Sequence, residues 1–183
     1  MSALDAVLRR QSRSKVTPEA PSHAQLLPFV EAAATVADHS GLRPWRLIQL
    51  RGDARARLGQ AFVEASGLTG KDATKLAEKP LRASLLIAVV VTVQPSFKVP
   101  PWEQEAVASG IAHTLSLLLD EAGWGVFWRT GGHTRSEAVH RMHELAPNEQ
   151  LLGWLYVGGL TDKDKFKSEK KRRNDAGRHL SEL

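Results

Sequence analysis

The chain has 183 residues, with 25 Lys and Arg against 20 Asp and Glu, 42 % apolar side chains and no cysteine. That length accommodates one domain, and the composition is that of a soluble globular chain rather than a disordered one. The lack of cysteine excludes a disulfide scaffold, a thiolate nucleophile, a zinc–thiolate knuckle and a cysteine-ligated iron–sulfur cluster, and it suits a reducing cytoplasm.

No membrane span or secretory leader is legible. The longest apolar run, 85–91, is far short of a bilayer, and Arg9 and Arg10 precede any apolar segment. The segment 161–183 carries eight Lys and Arg against five Asp and Glu, so much of the positive excess lies in the tail. A second basic cluster, Arg9, Arg10, Arg13 and Lys15, opens the chain. Such a balance suits nucleic acid, a phosphate-bearing ligand or a solvated face.

In chain order, residues 3–11 read as a short helix with Leu4, Val7 and Leu8 on one side. Ser22 and Gln25 form a capping box that opens a helix running to Ala37, stopped by Gly41 and Pro44. Residues 45–50 (WRLIQL) read as a strand. Asp53 is expected to cap a helix to about Ala65, and a polar helical stretch then runs to Glu78. Residues 84–93 (SLLIAVVVTV) are β-branched without alternation, which predicts a central strand buried on both faces. Pro101 sits where a helix can begin, and Trp102–Ala122 is the longest helix, apolar on a 3.6-residue period. A short strand at 126–129 follows. Thr134 and Glu137 suggest a second capping box, opening a helix to about Leu145, and 151–157 is the last strand. Four strands and some half-dozen helical pieces predict an α+β domain around a small mixed sheet.

The first βα turn, Arg51-Gly52-Asp53, has no glycine cluster, so a dinucleotide fingerprint and a P-loop are both absent. No G-x-S-x-G elbow marks a serine nucleophile. His140, His143 and Glu144 share a helix without a third metal-ligating element, so no metal site is expected. The tail 163–173 is basic, but Phe166 is its one aromatic residue, so it offers no stacking platform for nucleic acid.

Three clusters have both a functional and a bland reading. Arg9–Lys15 combines guanidinium forks with serine hydroxyls, a good phosphate grip, or it is a solvated helix end. Asp38–Arg46 places His39 in a turn before a strand, where it reaches a ligand or caps free helix carbonyls. Trp128-Arg129-Thr130-Gly131-Gly132 offers donors and close backbone approach at a strand end, or it is a plain connection.

Taken in order, these pieces resemble the small single-domain bacterial nitroreductases, homodimeric FMN enzymes. The resemblance rests on Arg10-Gln11-Ser12, Asp38-His39, Pro44-Trp45-Arg46 and Trp102-Glu103-Gln104. It rests further on Gly123-Trp124-Gly125-Val126-Phe127-Trp128-Arg129-Thr130-Gly131 and on Leu152–Gly158, and it covers about residues 3–160. It implies a three-layer α+β sandwich, with helices on both faces of the sheet, assembled as a homodimer. It also implies FMN contacts from Arg10, Gln11 and Ser12, the first and last at the phosphate. A contact from His39 would come across the dimer interface, and others from Trp128, Arg129 and Thr130. No protein residue is nominated as a catalytic acid or base.

NAD(P)H is the implied co-substrate, and a nitroaromatic, a quinone or a similar small molecule the acceptor, with Trp102 or Trp124 edging its pocket. Two positions depart from the family pattern: Gln11 replaces an arginine, and Thr35 stands where many relatives carry a flavin-contacting arginine. These departures keep open a flavin-binding protein of the same fold without NAD(P)H turnover. Residues 1–160 are expected to form the FMN-binding domain, and 161–183 a basic tail that partly embraces the partner through Phe166 and Leu180. Neither nucleic acid nor membrane is an expected partner.

Overall fold

The computed structural model describes residues 2–165 and 176–182. Helix α1 (Ala3–Arg9) opens on a capping box between Ser2 and Asp5. Helix α2 (His23–Ala33) opens on the expected Ser22–Gln25 box: Gln25 N–H donates to the Ser22 hydroxyl at 3.2 Å, and Ser22 N–H donates to the Gln25 side chain at 2.8 Å. It stops short of Ala37, where the Thr35 hydroxyl donates to the Ala32 carbonyl. The chain continues through β1 (Trp45–Leu50), α3 (Asp53–Ser66), α4 (Gly70–Ala77), β2 (Leu85–Thr92) and α5 (Pro101–Glu121). It ends with β3 (Trp124–Arg129), α6 (Glu137–Met142), β4 (Glu149–Gly159) and α7 (Asp162–Lys165). Asp53 is the first residue of α3 rather than its cap; Gly52, at φ 50°, makes the turn. The residues 166–175 of the tail, Phe166 among them, lie outside the described residues. Leu180 is 81 % exposed.

The sheet runs β1-β2-β4-β3, and every neighbouring pair is antiparallel. This corrects the expected mixed sheet, and the cause is non-local. One helix, α5, joins β2 to β3 and leaves them pointing the same way, but β4 inserts between them and runs against both. The layers are as expected. Leu26 and Ala33 of α2 and Ile111, Leu115 and Leu119 of α5 build a core on one face. Leu58 and Phe62 of α3, Leu76 of α4 and Val139 of α6 build another on the opposite face. The central strand β2 serves both: Leu85, Ile87, Val89 and Val91 point into the first core, and Leu86, Ala88 and Val90 into the second. Burial on both faces removes any polar alternation from its sequence.

A bulge sits in β4. Val89 faces Gly153 and Val90 faces Leu151, so Leu152 is the extra residue. Leu151 and Trp154, three apart, therefore enter the same core. Gly153 lies at φ 138°, and a Cβ there would stand 2.3 Å from the Arg129 carbonyl oxygen.

Two details revise local expectations. The Thr134–Glu137 capping box does not form: Gly131 and Gly132 let the chain close a 3₁₀ turn, and the Thr134 hydroxyl donates to the Gly131 carbonyl at 2.8 Å. Gln104, buried one turn into α5, clips the loop before it. Its amide accepts Gln94 N–H at 2.8 Å and donates to the carbonyls of Gln94 and Val99.

His143 is buried against the second core. Its Nδ1–H donates to the Val139 carbonyl at 2.8 Å, which leaves Nε2 to accept the Trp154 indole N–H at 3.0 Å. Burial lowers its pKa from the usual histidine value. The unfolded chain therefore takes up this proton first, and stability falls as pH drops below about 6.5. His143→Leu should flatten that slope between pH 7 and 5 while costing about 1–3 kcal/mol at pH 7, because the Trp154 donor is left unpaired. Denaturant titrations at the two pH values check both parts.

Candidate functional site

Three arginines open the chain, and the fold commits two of them. The Arg9 guanidinium donates to both carboxylate oxygens of Glu121, at 2.7 and 3.1 Å. Arg13 pairs with Asp164 at 2.9 Å, and its N–H donates to the Val126 carbonyl, which lays the segment alongside β3. Among the described residues Arg10 is in no ion pair. With Ser12 it faces a cavity of about 470 Å³ on the α2/α5 side of the sheet. Val126 and Trp128 of β3 and His113 and Leu117 of α5 line the same cavity. The Trp128 ring meets His113 edge-on, with centroids 5.0 Å apart. One wall thus offers a cation and a hydroxyl, and the others combine apolar and aromatic surface with Thr114 and Ser116 of α5.

Side chains alternate along β3, so Arg129 points to the other face. Its guanidinium stacks over Phe127 at 4.5 Å and over Tyr156 at 5.0 Å, and its Nε is buried without a partner. Burial pushes the Tyr156 phenol up to about 12, so it stays a neutral donor. Arg129 belongs to two further cavities. One, of about 330 Å³, is shared with Trp128, Thr130, Lys79 and His133. The other, of about 610 Å³, is bordered by Ser14, Lys15 and Arg82. His133 stacks on Phe62 at 4.8 Å, and burial followed by the Lys79 charge lowers its pKa. Among the described residues none of Lys15, Lys79, Arg82 and Arg129 is in an ion pair, so the end of β3 is strongly electropositive.

The fold therefore brings Arg10, Ser12, Trp128, Arg129 and Thr130 to the two sides of one strand end. Gln11, between Arg10 and Ser12 in the chain, lines none of these cavities. His39 stands apart. Its Nδ1 lies 2.8 Å from Glu103 at the start of α5, ten residues from His113, or about 15 Å along the helix. It sits in a tight turn with Ser40 and Arg43 at positive φ, held by the Arg43 N–H on the Asp38 carboxylate at 2.7 Å. Trp102 and Trp124, expected at the pocket edge, line none of these cavities, and Trp102 is 69 % exposed. Lys79, Arg82, His113 and His133 belong to no recognisable motif: Lys79 and Arg82 share one short turn after α4, and the two histidines stand in separate elements. His140 and His143 do not converge: His140 Nε2 contacts the Thr134 carbonyl, while His143 is engaged in the core. Among the described residues no group of three His, Cys, Asp or Glu is arranged to hold a metal.

A fold of this architecture, with a basic N-terminal segment laid beside β3, has clear relatives. The model of the nitroreductase family matches residues 7–159, and the chain belongs to that family. A relative from Escherichia coli K12, which carries the provisional name NAD(P)H nitroreductase YdjA, is 30 % identical over 161 residues, 86 % of this chain and 88 % of that protein. The similarly named YfhC of Bacillus subtilis 168 is 24 % identical over 84 % of this chain and 82 % of its own length. Among solved structures, a nitroreductase-like family protein from Bacillus cereus superposes with a TM-score of 0.84 at 20 % identity, covering 100 % of this chain and 96 % of that one. The FMN- and NADPH-dependent nitroreductase NfnB from a Sphigopyxis strain superposes at 0.77 and 16 % identity, over 100 % of this chain and 99 % of that one.

Proposed function

We propose that this protein is an FMN-dependent oxidoreductase that passes electrons from NAD(P)H to a small organic acceptor, a nitroaromatic or a quinone, in two half-reactions at one site. We place that site in a homodimer. The observation that carries this reading is the pairing of an uncommitted phosphate ligand, Arg10 with Ser12, with an aromatic and electropositive strand end at Trp128–Thr130.

The donor set fits FMN. Arg10 and Ser12 suit its phosphate, a charged fork beside a neutral hydroxyl. Trp128 and Thr130 suit the edge of its ring system, and Arg129 offers a buried Nε–H that has no protein partner. Bound there, FMN would supply the redox chemistry between the nicotinamide and the acceptor. The protein's part is orientation and electrostatics. Arg129 and Lys79 bring positive charge to the strand end, where negative charge develops on reduction. Trp128 and His113 wall the cavity with ring surface and exclude water.

His39 supports the dimer. Its hydrogen-bond partner Glu103 stands about 15 Å along α5 from His113, so a ligand contact from His39 is better made to a site shared with a partner chain. Leu4, Val7 and Leu8 of α1 and Trp102 of α5 are exposed apolar groups suited to cover such an interface. Residues 1–160 would then be the FMN-binding domain and 161–183 an arm reaching the partner. The lack of cysteine suits a cytoplasmic setting.

Arg10→Ala should weaken FMN binding by about 1.5–3 kcal/mol, the range for a hydrogen bond to a charged group. Riboflavin, which lacks the phosphate, should bind as before. Equal losses for both ligands would remove Arg10 from the phosphate. Mixing Arg10→Ala subunits with His39→Ala subunits tests the shared site. Each heterodimer should carry one site with both defects and one with neither, so about half of its sites should bind normally. Uniformly impaired heterodimer sites would put both residues in one chain's site. Stopped-flow bleaching of the flavin by NADH or NADPH then separates an oxidoreductase from a flavin carrier.

A further inference from the structure

His39 and Glu103 meet although 64 residues separate them in the chain, and each stands on a stiff support. His39 follows α2 in a turn closed on Asp38. The Arg43 N–H donates to the Asp38 carboxylate at 2.7 Å, and the Gly41 N–H to its carbonyl at 3.0 Å. Glu103 lies in the first turn of α5, which begins at Pro101. The next residue, Gln104, is buried and bonds the preceding loop at three points, which fixes the start of the helix. Between the two supports lies one contact, His39 Nδ1 at 2.8 Å from Glu103 Oε2. A carboxylate only accepts, so Nδ1 carries the proton and donates. In the neutral ring Nε2 then keeps a free lone pair, and among the described residues it has no hydrogen-bond partner. An acidic first turn also suits the helix dipole, but the dipole does not require that carboxylate to reach a histidine in another element.

We propose that Glu103 is a positioning residue for His39: it fixes the tautomer and direction of the imidazole, so that Nε2 is presented to the ligand as a hydrogen-bond acceptor. The inference rests on the reading of His39 as a flavin contact made across a dimer interface. It sharpens that reading, because an acceptor atom selects a donor group of the ligand, a ring N–H or a ribityl hydroxyl, and not its phosphate. Arg10 and His39 then recognise different parts of FMN. Without Glu103 the ring is free to turn and to exchange its proton between the two nitrogens, and only a fraction of the population presents the acceptor.

The tautomer is read on the full-length apoprotein, by nitrogen-15 spectra of labelled histidines at about pH 8.5, where free imidazole is neutral. The signal lost in His39→Ala identifies His39. The parent and Glu103→Gln should show the Nδ1–H form, and Glu103→Ala the averaged shifts of a freely exchanging ring. An averaged ring in the parent, or no change in Glu103→Ala, overturns the proposal. Flavin binding is measured by fluorescence quenching. Glu103→Ala should weaken FMN about three- to tenfold, the scale of one hydrogen bond, and riboflavin by the same factor. Glu103→Gln, which keeps an acceptor oxygen, should recover most of that loss, and Glu103→Ala should add little to His39→Ala. A loss confined to FMN would put His39 at the phosphate and overturn the acceptor role. A glutamine variant as weak as alanine, or fully additive losses with His39→Ala, would overturn the coupling. Mixed with Arg10→Ala subunits, Glu103→Ala subunits should give heterodimers in which about half of the sites bind normally. Uniformly impaired sites would separate Glu103 from His39. A parent that binds no FMN would remove the functional reading, whereas the apoprotein spectra test the hold of Glu103 on His39 by themselves.

Discussion

Gly153→Ala should be among the most damaging single-methyl changes in this chain, costing about 2–6 kcal/mol. Two effects add. Gly153 lies at φ 138°, a conformation that strains any L side chain, at about 1–3 kcal/mol. The new Cβ would also stand 2.3 Å from the Arg129 carbonyl oxygen and 2.8 Å from the Trp128 indole nitrogen. Neither neighbour is the free end of a flexible chain. The first is backbone of β3, and the second belongs to a ring packed against the α5 core. Overpacking of this kind costs about 1–3 kcal/mol more. The expected measurement is a melting temperature lowered by about 4–24 °C. Because relief of the clash moves β3 away from β4, the end of β3 should shift with it. Flavin binding should therefore fall more than in a variant of equal instability made on α4, such as Leu76→Ala. Equal flavin loss in the two would mean that Gly153 matters only for stability.

Gly153 also shows what a sequence can and cannot disclose. A lone glycine in an apolar strand is a recognisable sign of a bulge or a close approach, yet the neighbour it admits belongs to a strand some twenty residues earlier. The same limit explains the sheet. The β2 run was legible as central because it lacks alternation, and the structure buries it on both faces. The insertion of β4 between β2 and β3 is a long-range choice, and no local pattern encodes it. Capping boxes illustrate the local version. Ser22–Gln25 formed because nothing nearby competed, whereas Thr134 found the Gly131 carbonyl within its own turn.

The site divides along similar lines. Arg10, Ser12 and Trp128 could be picked out because each belongs to a short motif, and they line one cavity. Trp128 and Arg129, adjacent in a strand, face opposite sides of the sheet, yet both border the cavity at the strand end. Lys79 and His133 lie more than 40 residues apart, one after α4 and the other after β3, and only the folded chain makes them neighbours. His39 is the reverse case: its motif is clear, but within one chain it is engaged with Glu103 and away from the cavities.

Removing the carboxylate of Glu149 should cost about 3 kcal/mol and reshape acid stability. Glu149 opens β4 and is nearly buried, with its side chain 7 % exposed. It receives four hydrogen bonds. Arg46 of β1 gives two, Nε at 2.6 Å and a terminal nitrogen at 2.7 Å, the Thr92 hydroxyl at the end of β2 gives a third at 3.0 Å, and the Ala146 N–H gives the last at 3.0 Å. One carboxylate therefore ties three strands at the same end of the sheet. The Arg46 fork, ahead of the other donors, holds its pKa down to about 2, against 4.5 for an ordinary glutamate. The sign follows from that depression. The stabilisation is complete above about pH 4.5, where the unfolded chain also carries the charge, and it is lost as pH falls toward 2. Glu149→Ala strands the Thr92 and Ala146 donors and leaves Arg46 unpaired, and breaking such a pair costs about 3 kcal/mol at its lower end. The lower end applies because the Arg46 side chain is 41 % exposed and regains water. Glu149→Ala should thus melt about 6–12 °C lower at pH 7 and lose much of the parent's decline in stability between pH 4.5 and 2.5. If Arg46→Ala has the same effect and the double variant adds little, the two residues act as one unit. A parent acid profile retained in Glu149→Ala would assign that decline to other carboxylates.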